Sequence, residues 1–196
     1  MCPGLLPMVL WFVPHADPLS PVLRGIMAAV VLVLGGAIFV RYRKIERSRA
    51  DFNRAGAVFG YAGSVLLTLL LFPAHAELGL TVLAVLAFGD GSATLGGKAI
   101  GGAKLPWNHE KTVSGLVSFM IVGIPVASAF YWGEVYFNPE SASPPVGWST
   151  ALLCGGSATV AAAIAESIPS RINDNIRVGV TAAVVVVAVH AVTVGF

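Results

Sequence analysis

The stretch "LGLTVLAVLAFGDGSATLGGKAIGG", residues 78–102, decides the fold, because a long apolar run passes directly into glycines, one aspartate and one lysine. Of the 196 residues, 56% are hydrophobic and only 11% are charged, which is far from the balance of a soluble protein. About 20 mostly apolar residues cross a bilayer as a helix, since a helix satisfies its own backbone polar groups. The sequence therefore predicts an integral membrane protein in which residues 78–97 form one spanning helix.

Similar apolar runs recur along the chain, and the loops between them are too short to hold a separate soluble domain. We predict one all-α domain over 1–196, a polytopic membrane helix bundle preceded by a short apolar or interfacial segment, 1–21. The two cysteines, Cys2 and Cys154, have no metal-ligand spacing, so neither a disulfide nor a zinc site is predicted. About six transmembrane helices are predicted, over 22–40, 55–72, 78–97, 113–132, 149–166 and 178–196.

The positive charges indicate the orientation of the bundle. Of the 12 lysines and arginines, nearly all lie in or beside the predicted loops 41–54, 97–112 and 167–177, which share a side if every segment spans. The opposite loops carry glutamates but no lysine or arginine. Because short loops rich in lysine and arginine stay in the cytoplasm, we predict that these three loops are cytoplasmic and that both termini are not.

Asp90 lies near the cytoplasmic end of the third predicted helix. An ionised carboxylate within a bilayer costs about 2.5–3.5 kcal/mol at the centre, and such residues usually mark function. The nearest lysine along the helix, Lys98, is about 12 Å away, too far for a direct ion pair. A cation or a basic residue from another loop must therefore compensate Asp90. In the structural alternative, Gly97 and Gly101 form a helix-packing motif and Asp90 is a buried hydrogen-bonding residue.

The next loop contains lysines and hydrogen-bond donors beside flexible glycines. Such glycines let backbone N–H groups approach an anion, lysines act as point charges on phosphate oxygens, and a helix capped by Thr112 or Ser114 would add its positive end. The alternative is a solvated basic loop that contacts lipid headgroups. The candidate anion-binding residues are Gly96, Gly97, Lys98, Lys104, Asn108, Lys111 and Thr112.

A second polar cluster, "AESIPSRINDNIRVG" at 165–179, places Glu166 at the end of the fifth predicted helix and Asp174 and Asn175 before the sixth. The predicted topology puts them on the same side as Asp90 and Lys104. Carboxylates that hold a metal ion, beside cations that offset phosphate charge, are what phosphoryl or nucleotidyl transfer requires. Alternatively, the two acids only form ion pairs with neighbouring arginines.

Together, "GDGSATLGGKAIGGAKLPWNHEKTVSG" at 89–115 and "AESIPSRINDN" at 165–175 resemble the signature regions of the phytol kinase and dolichol kinase family, CTP-dependent lipid-alcohol kinases related to CDP-diacylglycerol synthases. The resemblance covers residues 54 to about 178. It implies a multi-pass enzyme that phosphorylates a phytol, polyprenol, dolichol or diacylglycerol type of alcohol, with CTP as the usual donor and Mg²⁺ as the cofactor. The matching positions are Asp90, Ala93, Gly96, Lys104, Pro106, Lys111, Thr112, Gly115, Glu166, Asp174 and Asn175.

From this resemblance we expect Asp90 and Asp174 to be ligands of the metal, with Glu166 as a third ligand or as the base that accepts the hydroxyl proton. Lys104 and Lys111 are expected to neutralise charge on the phosphates, and Lys111 is counted among the catalytic residues. Asn175 joins the candidate nucleotide-binding residues.

Two other function classes stay open, a CTP-dependent cytidylyltransferase of the CDP-diacylglycerol synthase type and a non-enzymatic transporter. The expected binding partners are a lipid alcohol, a nucleotide and membrane lipids, with no nucleic acid. In the last predicted helix, His190 lies toward the opposite side from these acids, and we expect it to be a hydrogen-bonded packing residue.

Overall fold

The computed structural model describes residues 8, 15–18, 20–45 and 54–196 of the chain. It is an all-α membrane helix bundle, as predicted. Four of its helices, over 76–99, 113–137, 148–167 and 174–193, are long and apolar enough to cross a membrane, whereas the described parts of the two helices before them carry shorter apolar segments. A full set of six spanning helices therefore stays a prediction. The helices are α1 (Pro21–Ile45), α2 (Arg54–Leu71), α3 (Ala76–Ala99), α4 (Val113–Phe137), α5 (Trp148–Ser167) and α6 (Asp174–Thr193).

Several boundaries differ from the predicted ones. Helix α6 begins at Asp174 rather than at residue 178, because the Asn173 side chain accepts a hydrogen bond from the backbone N–H of Asn175 at 3.0 Å and caps the helix. Asp174, in the first turn, also interacts favourably with the positive end of the helix dipole. Helix α3 extends to Ala99, so Lys98 is helical rather than part of a loop. The predicted segment 1–21 and loop 41–54 lie largely outside the described residues.

The loop between α3 and α4 contains a short β-hairpin that the sequence analysis does not predict. Strand β1 (Lys104–Leu105) pairs antiparallel with β2 (Asn108–Thr112). Gly101 and Gly102 precede β1 with φ of 63° and 96°, backbone conformations that favour glycine, so they form the turn into the hairpin. The hairpin folds the basic loop back over the end of the bundle.

Helix α3 is the centre of the bundle. It is buried on nearly every face from Ala76 to Gly89, with Leu83 half-buried, and it packs against α2, α4 and α6. A helix that is apolar all round is expected in such a position. Its regular turn widens into a π turn over Val85–Asp90, which ends at the aspartate.

Small residues let α4 lie close to its neighbours. A Cβ atom on Gly115 would lie 3.0 Å from the Ala93 carbonyl oxygen, and one on Gly97 would lie 2.9 Å from the Thr112 hydroxyl. Farther along α4, a Cβ on Gly123 would lie 3.2 Å from the Cα of a glycine in α3. Close backbone approach through small residues is typical of membrane helices. Gly97 therefore has the packing contact that the structural alternative requires, whereas Gly101 belongs to the turn.

The two ends of the bundle differ in their polar residues. At one end, which we call the lysine end, the hairpin 104–112 meets the end of α5 and the start of α6. Helix α2 also starts there, since a Cβ on Gly60 would lie 2.6 Å from the backbone nitrogen of Ile176. The opposite end, which we call the histidine end, contains the start of α3 and the end of α6. The lysine end is the one that the charge distribution predicts to be cytoplasmic.

Candidate functional site

Lys111 joins two carboxylates at the lysine end. Its Nζ donates to Glu166 Oε1 at 2.6 Å and to Asp174 Oδ2 at 2.7 Å. Arg177 donates to the other oxygen of Asp174. Glu166 is nearly buried, with 7% of its side chain exposed, while the Asp174 side chain is 40% exposed. The structure therefore brings the two predicted polar clusters together, with a lysine between the acids.

The hairpin is fixed to the end of α5, and this contact positions Lys111. The Asn108 side-chain amide donates to the Ser167 carbonyl at 3.0 Å, and its oxygen accepts from the backbone N–H of Glu110 at 3.1 Å. The Trp107 ring nitrogen donates to the Ser167 hydroxyl at 3.2 Å. Because both ends of the Asn108 amide are used internally, this residue holds the hairpin against the helix.

Thr112 ends the hairpin and begins α4. Its hydroxyl oxygen accepts a hydrogen bond from the backbone N–H of Gly115 at 3.1 Å, which is the helix cap expected from the sequence. Lys111, one residue earlier, is thus held between a strand pairing and a helix cap. The Lys111 ammonium group therefore stays near Glu166 and Asp174 with little rearrangement of its side chain.

Asp90 lies deeper, about one helical turn before Ala93 and Thr94 on α3. It is close enough to Glu166, Lys111 and Asp174 to interact electrostatically with each of them. Within the described residues, its carboxylate has no hydrogen-bond or ion-pair partner. A carboxylate in this position needs compensation by a cation. Asp90 is therefore the acid of this cluster that is left available to a ligand.

A cleft of about 470 Å³ opens at the lysine end, within the range of small-molecule binding sites. Its walls come from α3, the hairpin, the start of α4 and the junction of α5 and α6. Three lysines lie on these walls. The lining residues are Ala93, Thr94, Gly97, Lys98, Lys104, Leu105, Glu110, Lys111, Thr112, Gly115, Leu116, Glu166, Ser167 and Asp174.

The predicted nucleotide-binding residues fall into two groups. Gly97, Lys98, Lys104, Lys111 and Thr112 line the cleft, together with the acids Glu166 and Asp174. The others lie elsewhere. Gly96 is helical and faces the Ser118 side chain, Asn108 holds the hairpin, and Asn175 lies in the capped first turn of α6.

Lys111 stays charged in this setting. Burial by itself lowers the pKa of the Lys111 ammonium, but the carboxylates of Glu166 and Asp174 outweigh that effect and raise the pKa above its usual 10.5. The cleft therefore keeps a permanent positive charge at its acidic wall.

The acids of the lysine end fit a magnesium ion that is shared with a nucleotide. Asp90, Glu166 and Asp174 do not all come within 4.8 Å of one another, and Lys111 stands between the last two, so they do not form an all-protein cage. Mg²⁺ prefers oxygen ligands and is usually held by one or two carboxylates together with substrate phosphates. Asp90, unpaired and near the cleft, is the carboxylate that best fits this role.

A further polar cluster, which the sequence does not predict, lies at the histidine end. Among the described residues, His75, Glu77 and His190 form a compact group of possible metal ligands. His190 is buried and hydrogen-bonded to the Tyr131 hydroxyl at 2.6 Å, so its predicted hydrogen-bonded packing is confirmed, but its position beside Glu77 is not foreseen. The sequence contains one sign of this cluster, because His75 and Glu77 lie two residues apart at the start of a spanning helix.

Comparison with known proteins agrees with the family resemblance. The chain is 26% identical to phytol kinase 1, chloroplastic, of Arabidopsis thaliana over 171 residues, which are 85% of this chain and 52% of that protein. The chain is thus similar in sequence to proteins named phytol kinase. A probable phytol kinase 1 of Oryza sativa subsp. japonica is 32% identical over 60% of the chain and 37% of its own length. A probable phytol kinase 1 of Glycine max is 28% identical over 60% of the chain and 38% of its own length.

The chain thus spans about half the length of the Arabidopsis relative and less of the other two. The matched names support the phytol kinase part of the resemblance, while the dolichol kinase and CDP-diacylglycerol synthase parts stay predictions. No family model matches the chain, and no solved structure matches it.

Proposed function

We propose that this protein is a membrane-embedded kinase that transfers the terminal phosphate of a nucleotide to the hydroxyl group of a long-chain lipid alcohol. The observation that carries the proposal is the bridge from Lys111 to Glu166 and Asp174 in the wall of a cleft that contains two further lysines. The relationship to phytol kinases supports the same activity. Because these relatives are named phytol kinases, we propose a phytol-like alcohol as the acceptor.

The lysines of the cleft suit the phosphates of a nucleotide. Lys98 and Lys104 lie on its walls without an ion-pair partner among the described residues, so their charges are available to an anion. Lys111 adds a third charge, already oriented by two carboxylates. Positive groups fixed in place before the reaction stabilise charge that develops on transferred phosphate, because they need no reorganisation.

The carboxylates supply the other half of the chemistry. Glu166 and Asp174 hold Lys111 in place, and Arg177 holds Asp174. Asp90 is left to contribute to a Mg²⁺ site or to accept the hydroxyl proton of the alcohol. When bound, Mg²⁺ would be held by Asp90 and would offset the charge of the phosphates. CTP is the donor that the family resemblance implies.

The lipid alcohol has a route along α3. The last turns of this helix expose Leu95, and Ile100 directly follows its end, with 59% and 72% of each residue accessible. Ala93, Thr94, Gly97 and Lys98 of the same turns line the cleft. Exposed apolar side chains beside a polar cleft allow an acyl or prenyl chain to stay in lipid while its hydroxyl group reaches the cleft. The membrane position of the cleft thus selects a lipid acceptor over a soluble one.

A cytidylyltransferase is the second candidate, because its reaction also needs acids, lysines and a nucleotide at a membrane surface. The position of the label in the product distinguishes the two. The purified protein in detergent is incubated with a panel of lipid alcohols and phosphatidate, with CTP labelled at either the α- or the γ-phosphate. A kinase transfers the γ-label to an alcohol, whereas a cytidylyltransferase transfers the α-label to phosphatidate.

We expect γ-label in the alcohol product and no α-label in any lipid. Transfer of the α-label alone would replace the kinase with the cytidylyltransferase. No label in any lipid, with ATP and other nucleotides also tested, would contradict both enzymatic proposals and favour a transporter.

A further inference from the structure

Three side chains of types that bind metals converge at the histidine end. His75 immediately precedes α3, Glu77 lies in its first turn, and His190 lies in the last turn of α6. One ligand atom from each lies within 4.8 Å of those of the other two. Along α6, His190 is about 24 Å from Asp174, so this cluster is separate from the cleft at the lysine end.

The cluster buries a carboxylate without a permanent positive charge beside it. Glu77 and His190 are completely buried, with no accessible surface. Within the described part of the chain, no lysine or arginine forms an ion pair with Glu77. A buried carboxylate is strongly unfavourable unless a cation compensates it. Here the compensating charge must come from an imidazolium or from a bound ion.

Two buried atoms of the cluster also have no hydrogen-bond partner among the described residues. They are Oε2 of Glu77 and Nε2 of His190. Buried polar atoms are rarely left unpaired, and each exception requires an explanation, such as an ion. The other ring nitrogen of His190 is hydrogen-bonded to the Tyr131 hydroxyl, as is usual for an imidazole that binds a metal through its remaining nitrogen.

The ligand atoms of the cluster are close enough for one ion to reach all three residues. With metal–ligand bonds of about 2.0–2.2 Å, the ligand atoms of a tetrahedral zinc site lie about 3.4 Å apart. Glu77 Oε1 is 3.1 Å from His75 Nδ1, close to this value. It is 3.8 Å from His190 Nδ1, the ring nitrogen that contacts Tyr131, so the His190 ring lies beside the carboxylate. Ser143, from the loop after α4, donates to the same oxygen of Glu77 at 2.6 Å, and its hydroxyl also lies 3.0 Å from His75 Nδ1.

We propose that His75, Glu77 and His190 form a binding site for a divalent transition-metal ion, and that Zn²⁺ is the ion it takes. Two imidazole nitrogens and one carboxylate oxygen are a common protein ligand set for zinc, with water in the fourth position. A bound ion would neutralise Glu77 and tie the start of α3 to the end of α6. The site is independent of the proposed kinase activity.

Zinc binding by the purified full-length chain tests this site. The protein in detergent is stripped with a chelator, Zn²⁺ is titrated by calorimetry, and the bound metal is counted by elemental analysis. We expect one tightly bound zinc per chain. Glu77→Gln and His190→Asn are each expected to weaken binding by more than about 100-fold. His109→Asn, which changes an exposed histidine of the hairpin, is expected to keep one zinc.

Two further arms locate the ion and allow for variants that fail to fold. Asp90→Asn keeps the zinc if the ion is at the histidine end and loses it if the ion is at the lysine end. Co²⁺ added to the unmodified protein should give the intense visible absorption of a tetrahedral site. Absence of tight zinc binding by the unmodified protein, or its loss in Asp90→Asn but not in Glu77→Gln, would overturn the proposal.

Discussion

The two ends of the bundle both bury a glutamate, but they compensate its charge by different means. At the lysine end, Glu166 contacts Lys111, whose ammonium group also contacts Asp174. At the histidine end, Glu77 is surrounded by His75, His190 and a serine hydroxyl. Lysine stays charged at any physiological pH, whereas histidine is charged only when it is protonated.

This difference suits the ends to different ligands. Permanent positive charges beside an open cleft favour an anion such as a polyphosphate. Neutral imidazoles beside a buried carboxylate favour a metal ion or a proton. The hydrogen bond with Glu77 raises the pKa of His75, which is the effect expected when a carboxylate lacks a permanent partner. The comparison therefore predicts that chemistry depends on the lysine end and stability on the histidine end.

The largest effect is expected from Lys111→Ala. This variant removes the cation between Glu166 and Asp174 and a positive charge from the cleft, so label transfer should fall about 10²–10³-fold. The initial rate with labelled nucleotide, per folded molecule, is the measurement. Arg171→Ala removes an exposed positive charge from the same end and should have little effect. Transfer near the unmodified rate in Lys111→Ala would remove this end from the chemistry.

A smaller effect, on stability rather than activity, is expected from Tyr131→Phe. It leaves the buried Nδ1 of His190 without the hydroxyl at 2.6 Å, which should lower the free energy of unfolding by about 1–3 kcal/mol. Thermal unfolding in detergent checks the change, with Tyr136→Phe, at an exposed tyrosine, as the control. Loss of label transfer in folded Tyr131→Phe would show that the two ends are coupled and that the chemistry does not depend on the lysine end alone.

The sequence predicts those parts of this arrangement whose pattern lies within one short stretch of the chain. Apolar length locates α3 and α5 to within two residues at either end, because bilayer thickness fixes the length of a spanning helix. The start of α6 is placed four residues too late, since its polar first turn is capped by Asn173 and has no apolar signal. The hairpin is missed because its strands are short and polar.

The site shows the same contrast. The acids and lysines of the lysine end lie in two continuous stretches, so their spacing and the basic loops predict that they meet. The histidine end is assembled from the start of α3 and the end of α6, which are far apart in the chain. No local pattern links His190 to Glu77, and only the packing of the two helices brings them together.

The smallest effect concerns pH at the histidine end. Burial, more than the nearby Glu77 and Glu134, raises the pKa of Asp17 from its usual 3.8 to about 6. The folded state therefore binds the Asp17 proton more tightly than the unfolded state does. The stabilisation that this proton gives to the folded state is complete below pH 3.8 and is lost as the pH rises through about 6. Asp17→Asn should flatten this decline in thermal stability, while Glu140→Gln, at an exposed acid nearby, should not. An unchanged slope in Asp17→Asn would assign the decline to another group.

If the lysine end transfers phosphate, Asp90→Asn should remove the activity. The change keeps the shape of the side chain and removes only the charge of an acid that has no partner among the described residues. Transfer of the γ-phosphate label to a lipid alcohol is compared in purified, folded Asp90→Asn, the unmodified chain and Glu140→Gln. We predict a loss of about 100-fold or more in Asp90→Asn alone. Transfer at the unmodified rate in folded Asp90→Asn would contradict the claim.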